Sequence, residues 1–583
     1  MLPNLRKILR WIPAFVALAT LVTVLVACEV SRVSGLAAAM ALTPVIDLAQ
    51  APSPTPSWGP KGKTPVPILY QFMDWGTDFR SLHPEWGPVG SVLYAEWQRV
   101  NPGPNAYNWD AIDKYLKAEA RNTVRLRSGE VISKPVIIEV IAHVSSRPDW
   151  PAHFYDCTPT WVYDVIGGTV VGGRKVGHVV TGCGDTPAVF PAYDNPTWQR
   201  AYWDMVRAMG KHYENNPQVA AVIITTGLDG ETVVSKDLDC GLSAQVDQQV
   251  GGLSYRFQRF VLDTMRVYRE AFPTKPIFIN NCPGGPGIRA ETAKLAASLN
   301  PPIGLKNSGL WVDNQSHQGI GGIMGQWDPE AIYSDTVPIM IESAYGFGWG
   351  ELLYWSWFAA LHYHPTVIDV HPGFLEHSDP AWLAFVQRHL GVTPQNTPDV
   401  WTVMRDAEAK AVLWGTDPKV GYSGKIGDWT FWMHRIDEPA SKTVHLTRED
   451  LPEPARAGPY GRHARRTDEA TGNTFMSFNI DNRVWFAGKA APQTRLKVVM
   501  CFVNHGNDTL SLEYMNRQNQ LVRRTVQKGP QLGPVDQWYK QVWYLDDAMF
   551  DNGLPGGADV RINSNRDGDE IVRSLLIGDE SKW

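Results

Sequence analysis

The chain has 583 residues, 44% hydrophobic and 20% charged, the composition of a folded globular protein longer than one ordinary domain. Its formal net charge of −6 is small for this size and argues against a nucleic-acid partner.

The N-terminus opens with Arg6, Lys7 and Arg10, followed by an apolar run from Trp11 to Val26 that closes on "LVAC", Leu25 to Cys28. A positive region before a short apolar one is a secretory signal, here residues 1–28. The closing tetrapeptide resembles the bacterial lipobox, which implies lipidation of Cys28 as the mature N-terminus. An uncleaved anchor helix, or cleavage further on near "AAAMA", are the alternatives. In each the body is exported, either secreted or held at the cell envelope on the outer side of the membrane by a lipid or anchor. Residues 29–66 form a linker, and its proline-rich end "APSPTPSWGPKGKTPVP" (Ala51–Pro67) reads as a stiff extended tether.

Export makes disulfides available. Cys157 and Cys183 bracket a Gly-rich segment, so a bridge between them is expected; Cys240 and Cys282 are candidates for a second. Cys501, inside the apolar run "KVVMCFV", is expected as a buried free thiol. No CxxC spacing points to zinc.

From residue 67 to 392, short apolar runs alternate with helical patterns. The runs are Pro67–Trp75, Ser91–Gln98, Pro135–Ser145, Ala220–Gly227, Pro276–Asn281, Ile303–Ser308, Val337–Ser343 and Thr366–Phe374. Amphipathic stretches between them include Trp109–Ala120, Pro196–Tyr213, Ser254–Ala271, Ala290–Leu299 and Gly350–Leu361. Continuous apolar strands alternating with helices signal a parallel sheet, and eight units predict an α/β TIM barrel. A doubly wound sheet is the alternative, but no Gly-rich phosphate loop follows the first strand, and "GGPG" (Gly284–Gly287) lacks the lysine and the spacing.

Two runs end in acids. "AVIITTGLDGE" delivers Asp229 and Glu231 at the end of the fourth strand, and "IMIE" delivers Glu342 at the end of the seventh. The C-terminal ends of barrel strands carry the chemistry of this fold. Strands four and seven face each other across the mouth, and two facing carboxyls are what glycoside hydrolysis requires. The alternative for either acid of the fourth strand is capping the next helix.

With those residues, and with "YAEWQRVNPGPNAYNWDAIDKYLKAEA" (Tyr94–Ala120), the chain resembles clan A of the glycoside hydrolases. These are retaining TIM-barrel enzymes that include β-galactosidase-like and cellulase-like members. The resemblance covers most of Pro67–Leu390 and implies that Glu231 is the general acid/base and Glu342 the nucleophile. It implies an oligo- or polysaccharide substrate, with no cofactor and no metal. The chain departs from the clan at one position: Gly230 stands where members carry an Asn that hydrogen-bonds the sugar 2-hydroxyl. Asn280 or Asn281 could take that task, and Asp229 and Asp74 are the reserve acids.

Further polar strand-end residues are candidate substrate contacts: Asp74, Glu96, His143, Asp229, Asn281, Lys306, Asn307 and His371. Glu139, inside "VIIEVI", is a candidate for a polar layer within the barrel. The 24 tryptophans are an excess, and flat indoles suit both cores and sugar platforms. Trp75, Trp97, Trp311, Trp349 and Trp355 are the platform candidates.

Beyond "GVTPQNTPD" (Gly391–Asp399) the pattern becomes short strands parted by turns, so residues 397–583 are expected to form an all-β sandwich of jelly-roll type. There "NSNRDGDE" (Asn563–Glu570) fits a hairpin turn better than a calcium loop, lacking the bidentate Glu. The arginine-rich Ala455–Arg466 reads as a solvated loop. Two features point to functions other than glycoside hydrolysis. A metal-dependent barrel hydrolase is suggested by "HYH" (His362–His364) with His371 and His377. A non-catalytic surface carbohydrate-binding protein is suggested by the missing Asn.

Overall fold

The computed structural model describes residues 65–74, 86–236, 241–250, 253–281, 286–308, 330, 333–343, 351–404, 428–458, 461, 463–488 and 495–582. Cys28, Trp75, Cys240, Cys282, Trp311 and Trp349 lie outside them.

Eight strands close into a barrel: β1 (Leu69–Asp74), β2 (Val89–Glu96), β3 (Val136–Ile141), β4 (Val219–Ile224), β5 (Ile277–Asn280), β6 (Gly304–Asn307), β7 (Ile339–Glu342) and β8 (Val367–Val370). β1 pairs in parallel with both β2 and β8, which completes the ring. Each of the eight apolar runs is one of these strands, in the expected order, and the fold is the TIM barrel read from the sequence.

Side chains alternate along a strand, so residues two apart share a face. Ile137, Ala221, Phe278, Met340 and Val367 pack together inside the barrel. Two residues further along β3, β5, β7 and β8 that face carries Glu139, Asn280, Glu342 and Asp369. The interior thus changes from apolar to polar toward the C-terminal ends of the strands. The apolar floor is tightly filled: a Cβ on Gly304 would lie 2.5 Å from the Phe278 ring.

The outer helices follow from apolar spacing and capping. Pro196–Tyr213 begins at Asn195, whose Oδ1 accepts from the Thr197 and Trp198 N–H groups at 2.9 and 3.3 Å. It buries Trp198, Ala201, Tyr202, Met205, Val206, Met209 and Tyr213, a three-and-four spacing that lays one face on the barrel.

The C-terminal region is a sandwich of two antiparallel sheets, as expected. One orders Trp429–Phe431, Asp399–Val403, Ile571–Asp579, Ala464–Arg466 and Val444–Leu446, with Leu496–Val503 also paired to Ile571–Asp579 and Trp538–Leu545 paired to Leu496–Val503. The other orders Met433–Ile436, Phe475–Ile480, Val560–Asn563, Thr509–Asn516 and Leu521–Gln527. Met500, Leu575 and Ile577 from the first and Phe478, Leu512 and Ile562 from the second belong to one buried cluster.

Four expectations are corrected. Cys157 is a buried free thiol, so it forms no bridge with Cys183; Cys183 takes part in a disulfide with a different partner. Spacing around a Gly-rich segment did not decide the pairing, because Cys157 follows a two-residue strand, Tyr155–Asp156, that pairs with His143–Val144, and its side chain is fully buried there. Cys501 is free but only half-buried. Ala455–Arg466 is not wholly a solvated loop: Ala464–Arg466 is a strand between two others, and buried Arg465 donates to the Thr443 carbonyl at 2.8 Å. Trp355 is core, stacked on Trp429 of the sandwich with centroids 5.3 Å apart.

Candidate active site

After β4 the chain folds back sharply. The Leu228 N–H donates to the Val233 carbonyl at 3.0 Å, and the Glu231 N–H to the Leu228 carbonyl at 3.0 Å. Asp229 (φ +53°) and Gly230 (φ +79°) are both left-handed, which is costly for Asp229 unless its side chain is well held. It is held. Its carboxylate accepts from the Ser145 N–H at 2.7 Å, from the Ser145 hydroxyl, and from Lys236 Nζ at 2.6 Å. Against the cost of burial, these partners keep Asp229 below the ordinary carboxylate range. Asp229 is the clamp of the turn that carries Glu231.

The Glu231 side chain is 12% exposed, with Lys236 Nζ 4.0 Å away. Its Oε2 has no hydrogen-bond partner among the described residues. Burial, reinforced by the charges of Asp229 and Glu342, pushes its pKa up to about 8 against the pull of Lys236 and Lys306. At neutral pH this carboxyl keeps its proton.

Glu342 closes β7 in different surroundings. Its Oε2 accepts from Lys306 Nζ at 2.5 Å and from the Ser308 hydroxyl at 3.1 Å. Lys306 also pairs with Asp369 Oδ2 at 3.4 Å. Glu139 completes the cluster: burial pushes it up to about 7, with Lys306 and the Tyr94 hydroxyl opposing and Glu342 adding. Burial holds Asp369 well above the carboxylate range. One ammonium therefore faces three carboxyls, and protons make up the balance.

Of the other residues read from the sequence, Asn281 directly after β5 and Asn307 at the end of β6 are buried. Asn281 accepts from the Thr292 hydroxyl at 2.5 Å, and its Nδ2 has no partner among the described residues. Asp74 is the last residue of β1, and Lys306 lies on β6. His371 follows β8, is exposed, and caps the helix Pro372–Glu376 through Nδ1. Glu96 ends β2 but is saturated: Arg147 Nη1 reaches both its oxygens at 3.0 Å, Arg99 donates at 3.1 Å and Gln98 at 2.5 Å. It anchors the segment after β3.

Two candidates are removed from the substrate surface. Trp97 is fully buried, edge-on to Trp198 and Tyr202 at 5.2 Å from each, so it offers no face to a sugar. His143 is also fully buried, bonded to the Val189 carbonyl and the Tyr193 hydroxyl among aromatic rings. Burial lowers its pKa to about 4, so it is a neutral packing residue.

The histidines of "HYH" turn toward the sandwich: His362 Nδ1 accepts from the Thr430 N–H at 3.1 Å, and His364 stacks on Trp432 at 4.3 Å. Among the described residues no group of three or more His, Cys, Asp or Glu side chains is placed to hold a metal ion. The sequence reading missed Ser145, Lys236, Ser308 and Asp369. Asp369 had a signal, an acid at an inward position of the run "TVIDV". The other three are marked only by contacts across the barrel.

A buried protonated carboxyl at one strand end, and an ion-paired carboxylate at the end of the strand across the mouth, can donate a proton to and attack one bound molecule. No family model and no curated protein matches the chain. Solved structures are similar to it at low identity. A β-galactosidase from the psychrophilic Marinomonas ef1 is 12% identical over 52% of this chain and 56% of that one, with a TM-score of 0.29. GH5_18 from Bifidobacterium longum subsp. longum is 12% identical over 58% of this chain and 82% of that one, TM-score 0.34. A cold-adapted β-galactosidase from Rahnella sp. R3 is 11% identical over 58% and 57%, TM-score 0.32. The chain spans little more than half the length of either β-galactosidase.

Proposed function

We propose that this chain is an exported glycoside hydrolase acting on an oligo- or polysaccharide by a retaining two-glutamate mechanism, held at the envelope through lipidated Cys28 or an N-terminal anchor. The observation that carries the reading is the contrast between Glu231 and Glu342. Glu231 holds a proton through burial; Glu342 is an acceptor from Lys306 and Ser308. In the first step Glu231 protonates the glycosidic oxygen while Glu342 attacks the anomeric carbon and the bond to the leaving group breaks. Lys306 and Ser308 both engage Oε2, which leaves Oε1 to form the covalent bond. In the second step the Glu231 carboxylate takes a proton from water, and the resulting attack releases the sugar with its configuration retained.

The test is a panel of aryl glycosides and polysaccharides with two variants. Glu342→Ala should abolish turnover of every substrate, with azide restoring it to give a product of inverted configuration. Glu231→Ala should be much gentler on activated aryl leaving groups, which depart without protonation, and azide should then give a glycosyl azide of retained configuration. A wild-type chain that binds saccharides saturably but cleaves none would favour the carbohydrate-binding alternative.

A further inference from the structure

Gly230, the residue before Glu231, is where the chain departs from the clan it resembles. A Cβ there would lie 2.3 Å from Glu139 Oε1 and 3.2 Å from Thr225 Cγ2. The room a side chain at 230 would need is occupied by the carboxyl of Glu139, which reaches across from the middle of β3. Glu139 is 0% exposed, so it touches no substrate. It supports the acid turn from inside the barrel, while Asp229, bound by Ser145 and Lys236, holds the same turn from the β3 side.

Glu139 also faces the other half of the site. The charged and titratable groups around it are Tyr94 on β2, Asp229 in the acid turn, Lys306 on β6, Glu342 on β7 and Asp369 on β8. Tyr202 and Tyr268 sense it from the outer helices. A buried group that lies against the backbone of Gly230, the residue before Glu231, and faces the counter-ion of Glu342 connects the two.

We propose that Glu139 is a positioning residue for the Glu231–Glu342 pair, its carboxyl seating the Gly230 backbone and sharing Lys306 with Glu342. The proposal rests on the two-glutamate reading and extends it. The left-handed backbone at 230 (φ +79°) already favours glycine, and the site keeps an inward carboxyl where an Asn side chain would stand. Because Glu139 is charged or neutral according to its proton, it also sets how readily its neighbours ionise. A negative charge at Glu139, against the Gly230 backbone of the acid turn, opposes loss of the proton on the next residue, Glu231.

Glu139→Gln keeps the shape and removes the charge, whereas Glu139→Ala empties the seat. For Glu139→Gln the alkaline limb of the kcat/KM profile should move to lower pH, with KM within about twofold of wild type. For Glu139→Ala kcat should fall roughly 10- to 100-fold with KM little changed, the pattern of a misplaced catalytic group. A profile for Glu139→Gln superimposable on wild type would overturn the proposal, even if stability changed. Carboxyl-¹³C titration of glutamate-labelled full-length protein, with Glu231→Gln assigning the Glu231 resonance, reads the same coupling without turnover. If the wild type cleaves nothing, the two-glutamate reading falls. The titration then still decides whether Glu139 governs Glu231: an unmoved Glu231 resonance in Glu139→Gln overturns the coupling, and a downward shift supports it.

Discussion

Lys306 Nζ donates to Glu342 Oε2 at 2.5 Å, joining the ends of adjacent strands β6 and β7 through an ammonium that is 1% exposed. The pair register places Lys306 opposite Met340 and Glu342 opposite Asp369, so the same amine reaches acids on two successive strands.

Removing this cation leaves buried carboxyls without a counter-charge. Lys306→Met should therefore destabilise the barrel by about 3–5 kcal/mol, the cost of breaking a buried pair from one side. Denaturant titration at neutral pH measures it. A loss below about 1 kcal/mol would show that the cluster holds its charge balance by protons alone.

The buried acids make stability depend on pH. Glu231 has a folded pKa of about 8 against an ordinary 4.5, so the folded state binds its proton more tightly than the unfolded state. Its contribution is present in full below about pH 4.5 and is lost as pH rises through about 8. Glu231→Gln cannot lose that proton, so it should melt higher than wild type at pH 9 and alike at pH 4. Thermal scans across that range provide the check; equal differences at both ends would contradict the burial-driven shift.

Gly230→Ala should lose about 1–3 kcal/mol, since it adds a Cβ against Glu139 in a left-handed conformation. Glu139→Ala in the same chain should return part of that loss. Chemical unfolding of the two single variants and the double variant measures the coupling, and strict additivity would show that the contact is not felt.

Cys157 is free, and burial raises its thiol well above the ordinary range. It should resist alkylation in the native protein and react fully after unfolding. Peptide mapping with and without denaturant reads this; a Cys157–Cys183 cross-linked peptide would contradict the structure.

The lipobox-like "LVAC" predicts that a clickable fatty acid labels the wild type in cells and not Cys28→Ala. Equal labelling of both would favour an anchor helix in its place.

Hydrophobic patterning alone determined the eight-strand order, the helix Pro196–Tyr213 to the residue, and the emergence of Glu342 from a strand end, whereas Glu231 lies in the turn that follows β4. These are local properties: apolar runs of strand length, a capping Asn before Pro196, acids placed where a run stops. The strands Val444–Leu446, Ala464–Arg466 and Leu521–Gln527 are not legible as apolar runs, because polar and charged side chains interrupt their pattern. Arg465 is buried with Thr443, on the neighbouring segment, accepting from its guanidinium. Trp97 looked like a platform from its place after β2, yet Trp198 and Tyr202, about a hundred positions on, enclose it. The same holds for the site's chemistry. That Glu231 keeps its proton, that Lys306 serves Glu342 and Asp369 together, and that the Glu139 carboxyl lies against Gly230 are facts of distance across a closed barrel. Desolvation and Coulomb interaction act through space, and only closure of the sheet brings β3, β4, β6, β7 and β8 around one point.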